Sequence, residues 1–205
     1  MRTLLLVLCI SGAAQAQEPS DIPRAALVAL VPSPVGVHET RRYERYVIHG
    51  GSTEALAAQM QAFGPHDADE IAPALTRSDR KASLVYRSDG RGCRISDVTV
   101  ALDVTIVLPV WDIPRDASAA LRVEWERFLG ALERHELGHR AIALGGAEQL
   151  AQALERLHGR SCDQLHTAAE YASRDEAAAT RAAQIAYDDS TSHGIKQGTS
   201  LSTVR

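Results

Sequence analysis

A run of alternating apolar and polar residues constrains the fold of this chain more than any other segment. From Val98 to Leu108 every second residue is Val, Leu or Ile, and most of the positions between them carry Thr, Ala or Asp. A period of two turns one row of side chains towards a core and the other towards solvent. The segment from Cys93 onward therefore predicts a long half-buried strand, or a bent pair of strands, that ends at Pro109.

The remaining segments divide into a strand-rich first half and a helical second half. Strands are predicted at Tyr43–His49 and 82–87, and a helix begins at Ser52 or Thr53 and ends near Phe63. Two long helical regions follow, from Pro114–Asp116 to His158 and from Ser161 or Asp163 to about Tyr187, with a kink or break expected at Gly145-Gly146. This order predicts an α+β fold, in which an N-terminal antiparallel sheet with one helix precedes the long helices.

The N-terminus has the pattern of a secretory signal. Arg2 precedes a short apolar run and an Ala-Gln-Ala site, so residues 1–16 are predicted to be a signal peptide. A lipoprotein signal acylated at Cys9 is the alternative. We expect an extended, proline-containing arm at 17–40, a domain at 41–198 and a tail at 199–205, in a secreted, periplasmic protein.

Two cysteines remain after such a signal is removed, Cys93 and Cys162. In an exported protein an even pair favours a disulfide, although two buried thiols remain the alternative. The net charge of −4 provides no basic surface for nucleic acid. No later segment is apolar enough to cross a membrane, and nothing indicates the oligomeric state.

The motif that carries chemistry is His135-Glu136-Leu137-Gly138-His139, an H-E-x-x-H sequence within a predicted helix. Histidines at i and i+4 lie on one helix face, where both imidazoles can bind one zinc ion. Glu136 is rotated to the side, where it can take a proton from a water that the metal polarises. Gly138 leaves room for close packing on the other side.

A catalytic zinc site needs a third protein ligand. Glu148 reaches the histidines only if Gly145-Gly146 folds the chain back, and Glu170 lies in the next helix. The segment 187–194 offers a histidine and two aspartates in a region rich in turn formers, His193, Asp188 and Asp189. The spacing of these residues leaves the choice among them open.

At these residues the sequence resembles a bacterial family of predicted secreted zinc-dependent proteases, a domain of unknown biochemical function with an H-E-x-x-H motif. The resemblance covers about residues 40–198. It rests on Tyr46 to Gly50, Gly64-Pro65, Thr76, Cys93, Leu108-Pro109, Trp111, Trp125, Phe128, the H-E-x-x-H motif, Tyr187-Asp188, Thr191 and His193-Gly194. It implies a zincin-like fold, with His135 and His139 as zinc ligands and Glu136 as the catalytic base. It also implies His193 as the third ligand and Asp188 as a carboxylate that orients an imidazole.

These features predict a zinc-dependent metallopeptidase that binds one Zn²⁺ and hydrolyses a peptide or protein substrate. Tyr187 is the candidate donor to the oxyanion, and the strand at 98–108 is expected to present an edge to an extended peptide. One alternative is a di-iron enzyme, because Glu155 and His158 repeat the E-x-x-H spacing of Glu136 and His139. The other is a non-catalytic zincin-like envelope binding protein whose metal is structural.

Overall fold

The computed structural model describes residues 36–67, 70–88 and 90–203. The predicted signal peptide at 1–16, the alternative acylation site Cys9 and residues 17–35 of the predicted arm lie outside these ranges. The end of that arm is already part of the fold, because the first strand begins at Val37 and not at Tyr43.

The main sheet is built around one long central strand. This strand, β5 (Cys93–Trp111), lies between β1 (Val37–Ile48) and β4 (Leu75–Ser88), and the short β6 (His158–Gly159) pairs with its beginning. A separate two-stranded sheet consists of β2 (His66–Asp67) and β3 (Glu70–Ile71). The alternating segment is therefore a single strand of 19 residues.

The predicted α+β class is confirmed, but the sheet is mixed and not wholly antiparallel. β4 pairs with β5 in the antiparallel direction, whereas β1 pairs with β5 in the parallel direction. The chain between β1 and β5 contains a helix and three strands, long enough for the crossover that parallel pairing requires. Because β5 is paired along both sides, the prediction that residues 98–108 present a free edge is wrong.

Three α-helices are present in the described part of the chain: α1 (Thr53–Phe63), α2 (Ala119–Glu155) and α3 (Cys162–Thr191). A 3₁₀ turn at Ile195–Gln197 follows α3. Each α-helix begins after a serine, Ser52, Ser118 or Ser161, whose hydroxyl accepts a hydrogen bond from an amide of the first turn. Such caps satisfy amides that have no partner inside the helix.

Helix α2 continues through Gly145 and Gly146, so the predicted break at this pair is wrong. A Cβ atom at Gly146 would lie 2.1 Å from Thr180 Oγ1 of α3. Gly146 therefore allows close contact between the two long helices.

The core lies between α2 and one face of the sheet. Val100, Val104 and Ile106 of β5 are fully buried, in the same cluster as Phe128 and Leu132 of α2. Burial of each of these large side chains contributes about 1.5–3 kcal/mol. The cluster fixes the rotation of α2 just before the H-E-x-x-H motif and so orients the histidines.

The predicted disulfide joins Cys93 at the start of β5 to Cys162 at the start of α3, with 5.0 Å between the Cα atoms. The alternative of two free thiols is therefore wrong. Among the described residues, no helix combines the length and apolar character that crossing a membrane requires.

Candidate metal centre

His135 and His139 lie one turn apart on α2, and their rings converge. The two Nε2 atoms are 3.3 Å apart. His135 is buried against the core, with 5% of its surface exposed. The i, i+4 spacing thus produces the pair of imidazoles that the sequence predicts.

Asp188 of α3 completes a group of three donors with this pair. Its Oδ1 lies 3.0 Å from His139 Nε2 and 3.3 Å from His135 Nε2. Ligand atoms about 2.0–2.1 Å from one zinc ion in tetrahedral geometry are separated by roughly 3.3 Å. The three atoms therefore already have the spacing of a metal's coordination shell.

Two glutamines fix the outer nitrogens of the histidines. Gln184 Oε1 lies 2.6 Å from His139 Nδ1, and Gln197 Oε1 lies 3.0 Å from His135 Nδ1. Gln184 also donates from Nε2 to the His139 carbonyl at 2.9 Å, which fixes its orientation. Because an amide oxygen only accepts, the contacts match rings that carry a proton on Nδ1, and such a ring in its neutral form presents the Nε2 lone pair to the other donors.

The group fits a divalent cation. Two imidazole Nε2 atoms and a carboxylate oxygen face one another at contact distance, and with neutral rings all three are acceptors whose repulsion a cation between them removes. Burial lowers the pKa of His135, which favours the neutral imidazole that a metal requires. Nitrogen and carboxylate donors in this number match the ligand preference of zinc.

Glu136 lies beside the donor group and is 4% exposed. Its Oε2 accepts a hydrogen bond from Thr76 Oγ1 of β4 at 2.7 Å. Burial raises the pKa of Glu136, while the Thr76 hydrogen bond opposes the rise. A buried carboxylate held by one donor keeps its remaining acceptor capacity for a water or a substrate proton.

Tyr187 does not occupy the position expected of an oxyanion donor. Its hydroxyl donates to the His135 carbonyl at 3.3 Å and accepts from Gln197 Nε2 at 3.1 Å. Its ring stacks on His135, with centroids 5.1 Å apart, and a Cβ atom at Gly138 would lie 2.1 Å from the hydroxyl. We therefore revise the predicted catalytic role of Tyr187 to one of positioning the histidine.

His193, the expected third ligand, is not part of the three-donor group within the described ranges. Helix α3 continues to Thr191, one turn beyond the predicted end, and so places Asp188 on a helix and not in a loop. The chain then turns sharply, with left-handed φ values of 53° at Ser192, 50° at His193 and 79° at Gly194. This turn puts His193 in the wall of the cleft in front of the donors.

The other candidate ligands lie apart from the donors. Nine residues of unbroken helix separate Glu148 from His139, about 13 Å along the axis. Glu170 is 18 residues before Asp188 on α3, which corresponds to about 27 Å along the helix axis. Asp189 is not part of the donor group. The di-iron alternative is wrong, because it requires a bundle of four long helices. Here Glu155 is the last residue of α2, His158 lies in the strand β6, and the fold contains a sheet.

Charged residues of α2 hold the segment that carries Gln197. Arg127 donates to the carbonyl of Gly198 at 2.8 Å, and Glu124 accepts from the Ser202 amide at 2.5 Å. Arg127 also pairs with Glu124 and lowers its pKa to about 2. This clamp keeps Gln197 against His135.

The donors open onto a cleft of about 530 Å³ between α2, α3 and the start of β4. Glu136 and His193 share its wall with the three donors, and Leu75 to Ser78 of β4 form another side. Tyr187 is absent from this lining. The three donors are therefore accessible from this cleft.

The family model described as "Bacterial protein of unknown function (DUF922)" matches residues 43–194. The chain belongs to this family. The matched range includes the three donors and Glu136, and it ends at Gly194. The predicted membership of a bacterial family of unknown function is confirmed, whereas the protease activity and the zinc dependence stay predictions.

No curated protein and no solved structure matches the chain. The zincin-like assignment therefore also stays a prediction for this member of the DUF922 family.

Sequence reasoning missed Gln184 and Gln197 and gave Thr76 no role. One signal was present, because Gln184 and Asp188 are four residues apart on a helix, like the two histidines. Gln197 lies in a 3₁₀ turn, where no spacing rule indicates its direction.

Proposed function

We propose that this protein is a secreted metallopeptidase that binds one Zn²⁺ through His135, His139 and Asp188. The carrying observation is the convergence of three potential metal donors on a cleft that also contains the buried carboxylate of Glu136. The disulfide agrees with an extracytoplasmic location, and the proposed periplasmic location also relies on the N-terminal signal pattern.

His135, His139 and Asp188 would hold the zinc ion, which would supply the Lewis acidity that makes water easier to deprotonate near neutral pH. Glu136 accepts a proton from the attacking water and later delivers it to the leaving amine. Thr76 holds the Glu136 carboxylate in place through the 2.7 Å hydrogen bond. His193, which lines the cleft, replaces Tyr187 as the proposed donor to the developing oxyanion.

An open coordination position distinguishes a catalytic site from a structural one. The group contains three protein donors and faces a cleft of about 530 Å³, which favours catalysis over the alternative of a structural metal in an envelope binding protein. A structural site with four protein ligands leaves no such position.

The test is paired measurement of zinc content and of hydrolysis of labelled casein, for the wild-type protein and Glu136→Gln. We expect the variant to keep its zinc and to lose at least about a hundredfold in kcat, within the range attributed to general acid–base catalysis. Glu126→Gln, on an exposed turn of the same helix, is the matched control and should behave like wild type. Equal hydrolysis by wild type and Glu136→Gln would contradict the proposal.

A further inference from the structure

A second cavity, here called the side cavity, opens beside the metal cleft, which is the cleft of about 530 Å³ in front of the three donors. The side cavity has a volume of about 620 Å³ and shares Ser78, Gln184 and Asp188 with the metal cleft. A cavity of this volume has the size of an ordinary ligand site. A group bound in the side cavity therefore lies next to whatever is bound at the metal centre.

Arg181 of α3 lines the side cavity, and its guanidinium is free to bind a ligand. It has no hydrogen bond and no ion pair to any residue in the part of the chain that the structure describes. Arg181 is seven residues before Asp188 on α3, about two helical turns, so both side chains leave the same face of the helix about 10 Å apart along its axis. Arg181 thus lies beside the metal centre without being part of it.

The other charged residues that line the side cavity are compensated or face away from it. Arg80 of β4 pairs with Glu176 of α3, and both side chains are largely buried. Asp188 belongs to the donor group. Asp79 directly precedes Arg80, and because successive side chains of a strand point to opposite faces, Asp79 faces away from α3. Arg181 therefore supplies an uncompensated positive charge to the side cavity.

The metal cleft has the same balance of charge. Its carboxylates are those of Glu136, which accepts the hydrogen bond from Thr76, and of Asp188, which belongs to the donor group. Arg77 of β4 is exposed in the lining and has no hydrogen bond or ion pair within residues 36–67, 70–88 and 90–203. A divalent cation at the donors would add further positive charge. Both cavities therefore favour an anionic ligand.

We propose that Arg181 binds a carboxylate of the substrate in the side cavity, so that the protein acts on acidic peptides. A guanidinium forms two parallel hydrogen bonds to a carboxylate, a geometry that a neutral amide does not match. The 10 Å between Arg181 and Asp188 corresponds to about three residues of extended chain. The carboxylate therefore belongs to an acidic side chain, or to the end of the chain, within about three residues of the cleaved bond. The cleavage rests on the proposed function, whereas binding of the carboxylate does not require hydrolysis.

The binding test compares two peptides of about ten residues, one of alternating Ala and Glu and one of alternating Ala and Gln. Both have blocked ends and carry a dye without net charge, and fluorescence anisotropy is measured in the Glu136→Gln background so that the peptides stay intact. Adding Arg181→Gln should weaken binding of the Glu peptide at least about tenfold, because a charge-assisted pair is lost, and should change binding of the Gln peptide less than about twofold. Arg174→Gln removes the same charge about two turns earlier on α3 and is the matched control, with less than about a twofold change for either peptide.

A third peptide identifies the source of the carboxylate. It is the Gln peptide with a free C-terminus, and Arg181-dependent binding of this peptide alone would assign the side cavity to the end of a chain, whereas such binding of the Glu peptide assigns it to an acidic side chain. Because Arg181 is exposed and has no partner in the described residues, Arg181→Gln should unfold at the same temperature as its background, which separates lost binding from lost folding. Equal affinity of all three peptides, or a loss in Arg174→Gln as large as that in Arg181→Gln, would overturn the proposal.

Hydrolysis separates this proposal from the proposed function. Cleavage sites of the wild-type protein in a mixed peptide library, identified by mass spectrometry, should have a carboxylate within about three residues of the cleaved bond. Arg181→Gln should still cleave the library but lose this preference. If no peptide is hydrolysed and binding of the carboxylate still depends on Arg181, the peptidase proposal fails and the Arg181 proposal stands. If both proteins cleave with the same sequence preference, the Arg181 proposal fails alone.

Discussion

Replacement of Gln184 by Leu tests whether the glutamines prepare the histidines for a metal. The change removes the acceptor 2.6 Å from His139 Nδ1 and the donor 2.9 Å from the His139 carbonyl, at nearly constant side-chain volume. Loss of such a partner lowers metal affinity by about 10- to 100-fold, or about 1.4–2.7 kcal/mol. The expected zinc dissociation constant of Gln184→Leu is therefore about 10- to 100-fold higher than that of wild type.

The assay is a competition titration against a chromophoric zinc chelator at neutral pH. Gln152→Leu, at an exposed position of α2, is the control and should leave the dissociation constant unchanged. Gln184→Glu retains an acceptor for Nδ1–H and should preserve zinc affinity, which separates the acceptor role from a packing role. An unchanged dissociation constant for Gln184→Leu would refute the orientation argument.

Three further predictions concern stability. Replacing Cys93 and Cys162 together by Ser should lower the free energy of unfolding by about 4 kcal/mol in urea titrations, from the chain entropy of a loop of 69 residues, and a change below about 1 kcal/mol would contradict this. The hydrogen bond from Arg127 lowers the pKa of Glu124 from 4.5 to about 2 in the folded protein. The ionised carboxylate therefore stabilises the fold fully above pH 4.5, and this stabilisation is lost as the pH falls through 2. Glu124→Gln and wild type should differ in urea midpoint at about pH 6 and converge near pH 2. Gly194→Ala should lower thermal stability more than Gly90→Ala. Both glycines have a positive φ, but of the two only Gly194 has neighbouring atoms that an added Cβ would meet. Equal losses of stability would refute the steric argument.

Local patterns in the sequence predicted the three helices, the long strand and the histidine pair, whereas the predicted strand 82–87 is only the second half of β4, which begins at Leu75. The alternation after Cys93 corresponds to one long strand, and each serine that caps a helix, Ser52, Ser118 or Ser161, is one of the two cap candidates that the sequence offers there. These features depend on neighbours within a few residues, which a sequence pattern records. The direction of β1 was missed, because the polarity of a strand's side chains does not encode its partner's direction.

The third donor depends on where α3 ends. Composition at 187–194 predicted a loop, but the helix continues to Thr191 and stops only where Ser192 and His193 adopt left-handed conformations. These conformations are uncommon for residues other than glycine, and tertiary packing imposes them here. The choice between Asp188 and His193 was therefore beyond a local reading of the sequence.

The zinc content of Asp188→Ala and His193→Ala, measured beside wild type after dialysis against a weak chelator, tests the central claim most directly. We predict one ion per chain in wild type and in His193→Ala, and loss of the ion in Asp188→Ala. Retention of zinc by Asp188→Ala together with its loss from His193→Ala would contradict the proposed metal centre.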